Sequence, residues 1–334
     1  MKISRNINIE KHNTFGIGCN AACFVEIESE KDLPDLHGND FPKPFFCIGQ
    51  GSNLLFTKDF QGTLIHFSMK GWGVVSKNDN EVIIRAEAGC VWDEFVEQTL
   101  QKGYFGLENL SLIPGTVGSS PVQNIGAYGA EASQFIQTVH VFDYEEKRFF
   151  DLKNNECQFG YRNSIFKSNP SWIVVSADYR LSIIPTTNTS YKALNDYLEK
   201  HNLDGKNPLI VRQAVMSIRN DKLPDYKVLG NAGSFFQNPV VDKNKFVELI
   251  NKYPEMPFYA EKDERYKIPA AWLIDKSGWK GFTEGLAGVH HKQPLVLINF
   301  GGASGQEIKA LAEKIQMSIK NNFGIQLHPE VIYL

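Results

Sequence analysis

Hydrophobic and polar positions repeat along the chain with two periods, which predicts a mixture of strands and helices. The apolar run Phe45–Ile48 and the alternating stretch Val82–Ala88 are typical of strands, and a glycine follows each. The stretch Val91–Lys102 has its apolar residues at helical spacing and ends before Gly103, which predicts a helix directly after the second strand. A strand that leads into a helix is typical of α/β proteins.

Later segments extend this pattern. Strands are predicted at Val139–Asp143, Trp172–Ala177 and Pro294–Asn299, and helices at Tyr191–Lys200, Asn244–Lys252 and Ala270–Lys276. The clearest helix lies between the capping box of Ser304 and Glu307 and the glycine Gly324. The last segment, Ile325–Leu334, predicts a strand that carries Glu330 on its polar face.

Size and charge narrow the class of protein. The 334 residues exceed what one core usually supports, and a domain change is expected near residue 212. The net charge is −3 with acids and bases interspersed, so no general attraction to nucleic acid or to anionic lipid is indicated. We also find no apolar signal region near Met1 and no stretch long enough to span a membrane. The sequence therefore predicts a cytoplasmic protein, leaves the oligomeric state open and is compatible with a monomer.

The cysteines argue against a disulfide framework and against a metal site. They are odd in number and irregularly spaced: Cys19, Cys23, Cys47, Cys90 and Cys157. Cys19 and Cys23 have no second Cys or His pair nearby that would complete a zinc site. We expect buried, reduced thiols and no bound metal.

A first glycine-rich loop follows the strand Phe45–Ile48. Its candidate cofactor-binding residues are Gly49, Gly51, Ser52, Asn53 and Leu54. Such loops bring backbone N–H groups against a diphosphate, but no Lys-Ser/Thr pair follows, as a P-loop requires. A dinucleotide-binding fingerprint would need a glycine at the position of Leu54 and a helix after it. Taken alone, the loop is also compatible with a plain turn.

A second loop, Ile113–Gly129, contains no charged residue. So long a neutral, glycine-rich segment is typical of a functional loop, and its main-chain donors suit a large, partly polar cofactor. Its candidate cofactor-binding residues are Gly115, Gly118, Ser119, Ser120, Asn124, Ile125, Gly126 and Tyr128. A mobile linker is the alternative, although linkers rarely contain so many Ile, Val and Tyr residues.

Three further motifs each carry one side chain that can move or polarise a proton. They are Phe-Gly-Tyr161-Arg162, Gly-Ser234-Phe-Phe and Pro-Glu330-Val. Together with the two loops, they resemble the UDP-N-acetylenolpyruvoylglucosamine reductase family, flavoenzymes of peptidoglycan precursor synthesis, from about Asn13 to Val331. Separately, each has an ordinary alternative: a surface ion pair, a turn residue and a solvated acid.

The resemblance implies an α/β (α+β) protein with a vanillyl-alcohol-oxidase-type FAD-binding fold. Residues 1–66 and 67–211 would form two FAD-binding subdomains, the second completed by residues 325–334, and residues 212–324 a substrate-binding domain. The resemblance also implies non-covalent FAD, NADPH as the hydride donor and a nucleotide sugar as substrate. The preference for NADPH over NADH stays open in the sequence.

Reduction of an enolpyruvyl ether needs what these motifs offer. Hydride addition at C3 moves negative charge onto C2 and the carboxylate, and C2 must then receive a proton. Arg162 is suited to bind the carboxylate, and Ser234 has a hydroxyl that can protonate C2. Glu330 can assist when it is protonated or otherwise donates a hydrogen bond, which burial beside the ligand favours.

Cations for a nucleotide-sugar diphosphate cluster before Ser234, namely Arg212, Arg219, Lys222 and Lys227. The resemblance assigns the substrate to Tyr161, Tyr191, Arg219, Lys222, Asn238, Lys280 and Gln293. A solvated basic face is the alternative for the lysines.

Two other functions compete with the one that the resemblance implies. Another flavin oxidase or dehydrogenase, acting on an alcohol or lactone, would have no need of Gly-Ser234-Phe-Phe, and a non-catalytic nucleotide-sugar sensor would not need all three reactive side chains.

Overall fold

The computed structural model describes residues 1–36 and 40–334, which divide into two compact units. The first unit comprises Met1–Ile7, Asn20–Gln50 and Phe60–Asp221. The second comprises Asn8–Cys19, Gly51–Asp59 and Lys222–Leu334. Each unit therefore combines segments that are far apart in the chain. The division into residues 1–66, 67–211 and 212–324 remains a proposal.

The described residues form both helices and strands. The α-helices are α1 (Trp92–Gln101), α2 (Ser119–Gln123), α3 (Lys192–Lys200), α4 (Pro208–Lys222), α5 (Lys243–Lys252), α6 (Ala270–Lys276) and α7 (Gly305–Phe323). The strands are β1 (Lys2–Asn8), β2 (Asn20–Ile27), β3 (Phe45–Ile48), β4 (Leu54–Leu55), β5 (Phe60–Phe67), β6 (Trp72–Lys77), β7 (Glu81–Glu87), β8 (Gly126–Ala127), β9 (Ala130–Glu131), β10 (Ile136–Asp143), β11 (Arg148–Lys153), β12 (Trp172–Ser182), β13 (Gly230–Ser234), β14 (Val240–Val241), β15 (Tyr259–Ala260), β16 (Tyr266–Lys267), β17 (Thr283–Glu284), β18 (Ala287–Val289), β19 (Val296–Asn299) and β20 (Ile332–Tyr333).

The first unit is built on two sheets. One has the strand order β1-β2-β5-β3, in which β2 and β3 both run parallel to β5. The other has the order β11-β10-β12-β7-β6 and is antiparallel throughout. The long strand β12 lies at its centre and is almost entirely buried. This sheet is the support for the second glycine-rich loop.

Helix α1 closes the core beside the antiparallel sheet. The apolar stripe predicted for it is confirmed, because Trp92, Phe95, Val96, Thr99 and Leu100 are all buried. The rings of Trp92, Phe95 and Tyr179 pack with centroids 5.2 to 6.1 Å apart. Aromatic clusters of this kind are rigid, so they hold α1 and β12 in a fixed arrangement.

The second unit contains an antiparallel sheet of order β13-β19-β18-β17, against which α7 packs. The predicted helix is confirmed, and its side chains Ile308, Leu311, Ala312, Ile315 and Ile319 are buried. Its predicted ends are confirmed as well. Ser304 and Glu307 form the capping box, and Gly324 closes the helix with a left-handed φ of 67°.

The continuous strand predicted over Ile325–Leu334 is wrong, because only Ile332–Tyr333 form a strand. The backbone here changes partners within a few residues. The N–H groups of Gln237 and Glu330 bind the carbonyls of His328 and Phe235, whereas the N–H of Ile332 binds Asn53 O. Pro329 lies between the two sets of bonds and has no N–H of its own. Glu330 is therefore placed where the chain passes from one neighbour to the next.

The thiols are reduced, but their predicted burial is only partly correct. Cys23, Cys90 and Cys157 are buried, whereas Cys19 is half-buried and Cys47 is exposed. Cys47 lies on β3, the outermost strand of its sheet. Across the described part of the chain, no helix is both long enough and apolar enough to cross a membrane.

Candidate functional site

The two glycine-rich loops meet inside the first unit. Gln50 accepts a hydrogen bond of 2.9 Å at Oε1 from the N–H of Gly115. Gly49 lies directly against Thr116, because a Cβ at position 49 would be 2.8 Å from Thr116 Oγ1. A larger residue at position 49 would therefore separate the loops, which explains the glycine there.

The second loop is held in shape by its own backbone. The N–H groups of Val117 and Gly118 bind the carbonyls of Cys90 and Ala88, and those of Ser119 and Ser120 bind carbonyls within the loop. These four N–H groups are thus bonded within the protein, and the role of the loop's other main-chain donors in holding a cofactor stays a prediction. Ser120 is buried, and its Oγ is 2.7 Å from the hydroxyl of Tyr179.

The surface that this loop leaves accessible still fits a large cofactor. Gly118, Ser119, Ile125 and Gly126 are half-buried and uncharged. They offer glycine surface, one hydroxyl and one apolar side chain, which suits a cofactor with a flat ring and a polar chain. FAD has both parts, so the residues present fit it.

Residues Gly51–Leu54 of the first loop have structural contacts in the second unit. Gly51 has φ of 65°, and a Cβ there would be 2.2 Å from His12 O. Asn53 donates from Nδ2 to Glu330 O at 3.1 Å. Leu54 is buried and pairs with Ile332. These contacts give the Gly51–Leu54 backbone one defined conformation.

Arg162 lies in a tight turn of the first unit. Gly160 and Asn163 close the turn with reciprocal backbone bonds of 2.9 and 3.1 Å, and Arg162 has a left-handed φ of 52°. Its Nη2 donates to Gly126 O at 2.7 Å, and a Cβ on Gly126 would be 2.8 Å from Nη1. Asn124 donates from Nδ2 to Gly160 O. The second loop and the arginine are thus held together. Residues with an unusual backbone conformation, such as Arg162, often cluster at functional sites.

Ser234 ends β13 in the second unit. Gly233, with φ of 66°, precedes it, and Asn231 accepts the Gly233 N–H at Oδ1 with a distance of 2.9 Å. The side chains of Phe235 and Phe236 are buried, while Ser234 itself is exposed. The register between β13 and β19 shifts before Ser234, as in a β-bulge. The bulge and the buried phenylalanines hold the serine hydroxyl at the surface of the unit.

Glu330 lies on the segment next to Ser234. Its N–H donates to Phe235 O at 2.8 Å, and Pro329 forms a bridge with Phe236. Ser234 and Glu330, predicted from motifs that are almost 100 residues apart, are therefore on adjacent segments of the second unit.

Tyr128, Tyr191 and Arg219 come together in the first unit. The two tyrosine rings pack edge to face with centroids 5.5 Å apart. Burial lowers the pKa of Arg219, partly offset by Tyr128 and Asp93, and its buried Nε has no hydrogen-bond partner within the described structure. Tyr161, next to Arg162, is exposed. A buried guanidinium with an unused N–H is a suitable contact for an anionic ligand.

The remaining substrate candidates belong to the second unit. Asn238 uses its Oδ1 to accept the Ala270 N–H at the start of α6. Lys280 is 3.3 Å from Asp275 Oδ2, and the adjacent Gly281 packs against His291. The Gln293 N–H donates to Nδ1 of His290. Lys222 is exposed at the end of α4.

The prediction that Arg212 is one of the cations available to bind the diphosphate of the substrate is wrong. Arg212 is buried and makes a bidentate ion pair with Asp93, with N–O distances of 2.6 and 3.0 Å. Sequence reasoning missed Asp93, Gln50 and Thr116. Gln50 and Thr116 carry a local signal, because both lie inside the loops that were singled out. Asp93 carries none, since its partner is 119 residues away.

Comparisons with known proteins agree over the whole chain. Residues 21–148 match the family described as FAD binding domain, and residues 224–334 match UDP-N-acetylenolpyruvoylglucosamine reductase, C-terminal domain. The UDP-N-acetylenolpyruvoylglucosamine reductase of Bacteroides fragilis (strain YCH46) is 45% identical over 99% of this chain and 100% of the relative. That of Porphyromonas gingivalis (strain ATCC 33277) is 43% identical over 100% of both chains.

Solved structures show the same fold. The crystal structure of UDP-N-acetylenolpyruvylglucosamine reductase from Thermus caldophilus is similar to 100% of this chain and 99% of its own, with a TM-score of 0.69 at 21% sequence identity. The vanillyl-alcohol-oxidase-type FAD-binding fold expected from the sequence is confirmed.

Proposed function

We propose, because the chain belongs to the UDP-N-acetylenolpyruvoylglucosamine reductase family, that Arg162, Ser234 and Glu330 carry the reaction of this family. The chain is an FAD-dependent oxidoreductase that uses NADPH to reduce UDP-N-acetylglucosamine enolpyruvate to UDP-N-acetylmuramate in peptidoglycan synthesis. One observation supports the assignment most strongly. The hydrogen bond from the Glu330 N–H to Phe235 O joins the segment that carries Glu330 to the segment that carries Ser234, the proposed proton donor.

FAD held by the two glycine-rich loops would supply hydride transfer from NADPH to C3 of the enolpyruvyl group. Arg162 meets the carboxylate that gains charge in this step. Its Nη2 donates to Gly126 O, which fixes the orientation of the guanidinium, and a planar, permanently charged group of this kind is suited to pair with a carboxylate. Preorganised donors of this kind are among the largest contributions to catalysis, because they need no reorganisation as charge develops.

Ser234 then donates its hydroxyl proton to C2. Phe235 and Phe236 anchor the strand behind it, so the hydroxyl has a fixed position from which to act. Glu330 assists when it donates a hydrogen bond to the charge that develops beside the carboxylate. Both side chains belong to the second unit, and the Glu330 N–H donates to the carbonyl of Phe235, the residue after Ser234.

We assign FAD to Gly49, Gly51, Ser52, Asn53, Leu54, Gly115, Gly118, Ser119, Ser120, Asn124, Ile125, Gly126 and Tyr128. The contact between Gly49 and Thr116 supports this set, as does the accessible, uncharged surface of the second loop.

The attachment of FAD is proposed to be non-covalent. Cys90, the nearest candidate nucleophile, is buried, and its Sγ donates to Gly71 O. Burial raises the pKa of this thiol to about 11, so it is unreactive at neutral pH. Flavin that stayed with the acid-precipitated chain would contradict this.

We assign the nucleotide sugar to Tyr161, Tyr191, Arg219, Lys222, Asn238, Lys280 and Gln293. The packing of Tyr191 on Tyr128 and the unused Nε of Arg219 support the first part of the set. The Asn238 side chain also starts α6, so its role includes holding that helix. We place the reaction in the cytoplasm, where NADPH and nucleotide sugars are held. Cell fractionation that recovered the protein outside the cytoplasm would contradict this.

The Ser234→Ala variant tests the proposed chemistry. Reduction of FAD by NADPH should be unchanged, because that half-reaction needs no proton at C2. Reduction of the enolpyruvyl substrate should slow by about 10²- to 10⁴-fold, the usual effect of losing a general acid. Rapid mixing with absorbance at the flavin band measures the two half-reactions separately.

Two further variants complete the experiment. Ser234→Cys should recover part of the second half-reaction, because a thiol also donates a proton. Ser76→Ala, at an exposed serine of β6, is the matched control and should leave both rates unchanged. Equal slowing of both half-reactions in Ser234→Ala would show that the serine is structural.

A further inference from the structure

The buried ion pair of Asp93 and Arg212 has a third member. The Asp93 carboxylate, in the first turn of α1, accepts Nη1 and Nη2 of Arg212 at 2.6 and 3.0 Å. The same Oδ1 also accepts the backbone N–H of Leu112 at 2.6 Å. The Arg212 side chain is 7% exposed and that of Asp93 24%, so both groups are largely removed from water.

Leu112 has a conformation that leucine rarely adopts. Its φ is 56°, in the left-handed region, where the Cβ of an L-residue crowds the carbonyl oxygen that follows. Such residues persist where their surroundings hold them. The hydrogen bond from Leu112 to Asp93 is a short, charge-assisted contact of the kind that can do so.

Leu112 directly precedes the second glycine-rich loop. Three residues later, Gly115 donates to Gln50, and Thr116 packs against Gly49. The direction in which the chain leaves Leu112 therefore helps to set where the two loops meet. It acts together with the bonds from Trp92 N–H to Gly115 O and from Val117 N–H to Cys90 O.

We propose that Asp93 and Arg212 are positioning residues for FAD: Asp93, oriented by Arg212, holds Leu112 in its left-handed conformation and so aligns the second loop with the first. The proposal rests on the assignment of these loops to FAD in the proposed function. It also accounts for Arg212, which the substrate site does not use.

The test compares two double variants that differ only at residue 93, which in one variant keeps a hydrogen-bond acceptor for the Leu112 N–H and in the other does not. Asp93→Ala with Arg212→Met removes the acceptor without leaving a buried, unpaired charge. Asp93→Asn with Arg212→Met keeps a carbonyl oxygen for the Leu112 N–H. We measure the FAD dissociation constant of the full chain from the fluorescence regained when the holoenzyme is diluted, together with the melting temperature.

The alanine pair should weaken FAD binding at least tenfold, and the asparagine pair should stay within about threefold of the parent, as a single hydrogen-bond acceptor predicts. Adding Leu112→Gly to the alanine pair should restore the affinity, because glycine adopts a positive φ without help. A purely structural role would lower the melting temperature without this pattern of loss and recovery. Equal FAD affinity in the two pairs, or no recovery with Leu112→Gly, would overturn the proposal.

Gly49→Ala separates this idea from the assignment of the loops. Its Cβ would push against Thr116 and should weaken FAD binding whatever Asp93 does. If Gly49→Ala weakens binding and the alanine pair does not, the role of Asp93 and Arg212 is refuted while the loop assignment stands. If neither change affects FAD, the loop assignment is wrong, and the positioning role is overturned with it.

Discussion

Arg162 combines an uncommon backbone conformation with a side chain that is already oriented. Its left-handed φ belongs to the turn closed by Gly160 and Asn163, and its guanidinium is tied to Gly126 O. This contact fixes the plane of the guanidinium and the directions of its N–H groups. A lysine carries a single ammonium group and cannot reproduce this planar arrangement.

Arg162→Lys should therefore impair the reduction of the enolpyruvyl substrate and leave the reduction of FAD by NADPH unchanged. The loss should be about 1.5–3 kcal/mol, the net value of a hydrogen bond to a charged group, or roughly a tenfold to hundredfold fall in kcat/KM. Steady-state kinetics give the fall, and rapid mixing gives the flavin rate. Arg148→Lys, at an exposed arginine paired with Glu146, is the control. Unchanged kcat/KM in Arg162→Lys would remove Arg162 from the reaction.

Individual residues also show where the sequence stops being informative. Arg162, Ser234 and Glu330 are recognisable because each lies within a short motif. Arg212 was misplaced because its partner Asp93 belongs to another helix, and no local pattern records that pairing. The left-handed φ of Leu112 is equally hidden, since leucine is not a residue that signals this conformation.

Among the elements, those whose reasons are local were predicted well. Helices α1, α6 and α7 are confirmed. They could be predicted because an apolar stripe, a cap or a glycine at the end marks each of them in the local sequence. The last segment was predicted as one strand because its pattern alternates. Its actual course depends on Phe235 and Asn53, which are remote in sequence, so the alternation could not reveal the change of partner.

The antiparallel sheet of the first unit carries a charged network across four strands. Arg85 on β7 lies opposite Asp178 on β12 and binds it through two N–O contacts of 2.7 and 2.9 Å. His140 on β10 binds Asp151 on β11 at 2.6 Å, and its Nε2 is 3.1 Å from Asp178 Oδ1. Cross-strand pairs of this type stabilise sheets.

This network makes stability depend on pH. Burial alone would lower the pKa of His140, but Asp178 and Asp151 outweigh burial and the repulsion from Arg85, so the pKa is raised. The stabilisation by the protonated imidazole is therefore fully present below the pKa of histidine in the unfolded chain, about 6.5. It is lost as the pH rises through the higher pKa of His140 in the folded protein. Urea unfolding from about pH 6 to about pH 9 should show this decline in the parent and not in His140→Gln.

A matched histidine provides the comparison for that experiment. His201→Gln, at an exposed position after α3, should keep the decline of the parent protein. Parallel curves for the parent and His140→Gln would show that the network does not contribute to the pH dependence. At the acid end, Arg85 and His140 outweigh burial and lower the pKa of Asp178 to about 2, so its contribution is lost only as the pH falls from about 4 through that value.

At the scale of the whole molecule, the second unit is discontinuous. Its main part, Lys222–Leu334, incorporates two short pieces, Asn8–Cys19 and Gly51–Asp59. Asn299 donates to Phe15 O at 2.9 Å, and Leu54 and Leu55 pair with β20. A Cβ on Gly305 would be 1.7 Å from Phe56 O, so α7 begins directly against the second piece.

Residues 222–334 expressed alone should consequently fail to fold cooperatively. The fragment would leave the sites of Phe15, Leu55 and Phe56 empty, and all three side chains are fully buried in the chain. Circular dichroism should show no sharp thermal transition in the fragment, whereas the full chain, measured in parallel, should show one. A cooperative transition in the fragment would contradict the dependence on the two short pieces.

The same arrangement sets an order of events during protein synthesis. Leu54, Leu55 and Phe56 are made early, but the strand and helix that cover them are translated more than 240 residues later. At ordinary translation rates, this interval is on the order of tens of seconds. Throughout it, the apolar strand β4, at the end of the first glycine-rich loop, lacks its pairing partner β20. This segment is therefore where we expect a chaperone to bind the nascent protein, and where stalled or truncated chains should begin to aggregate.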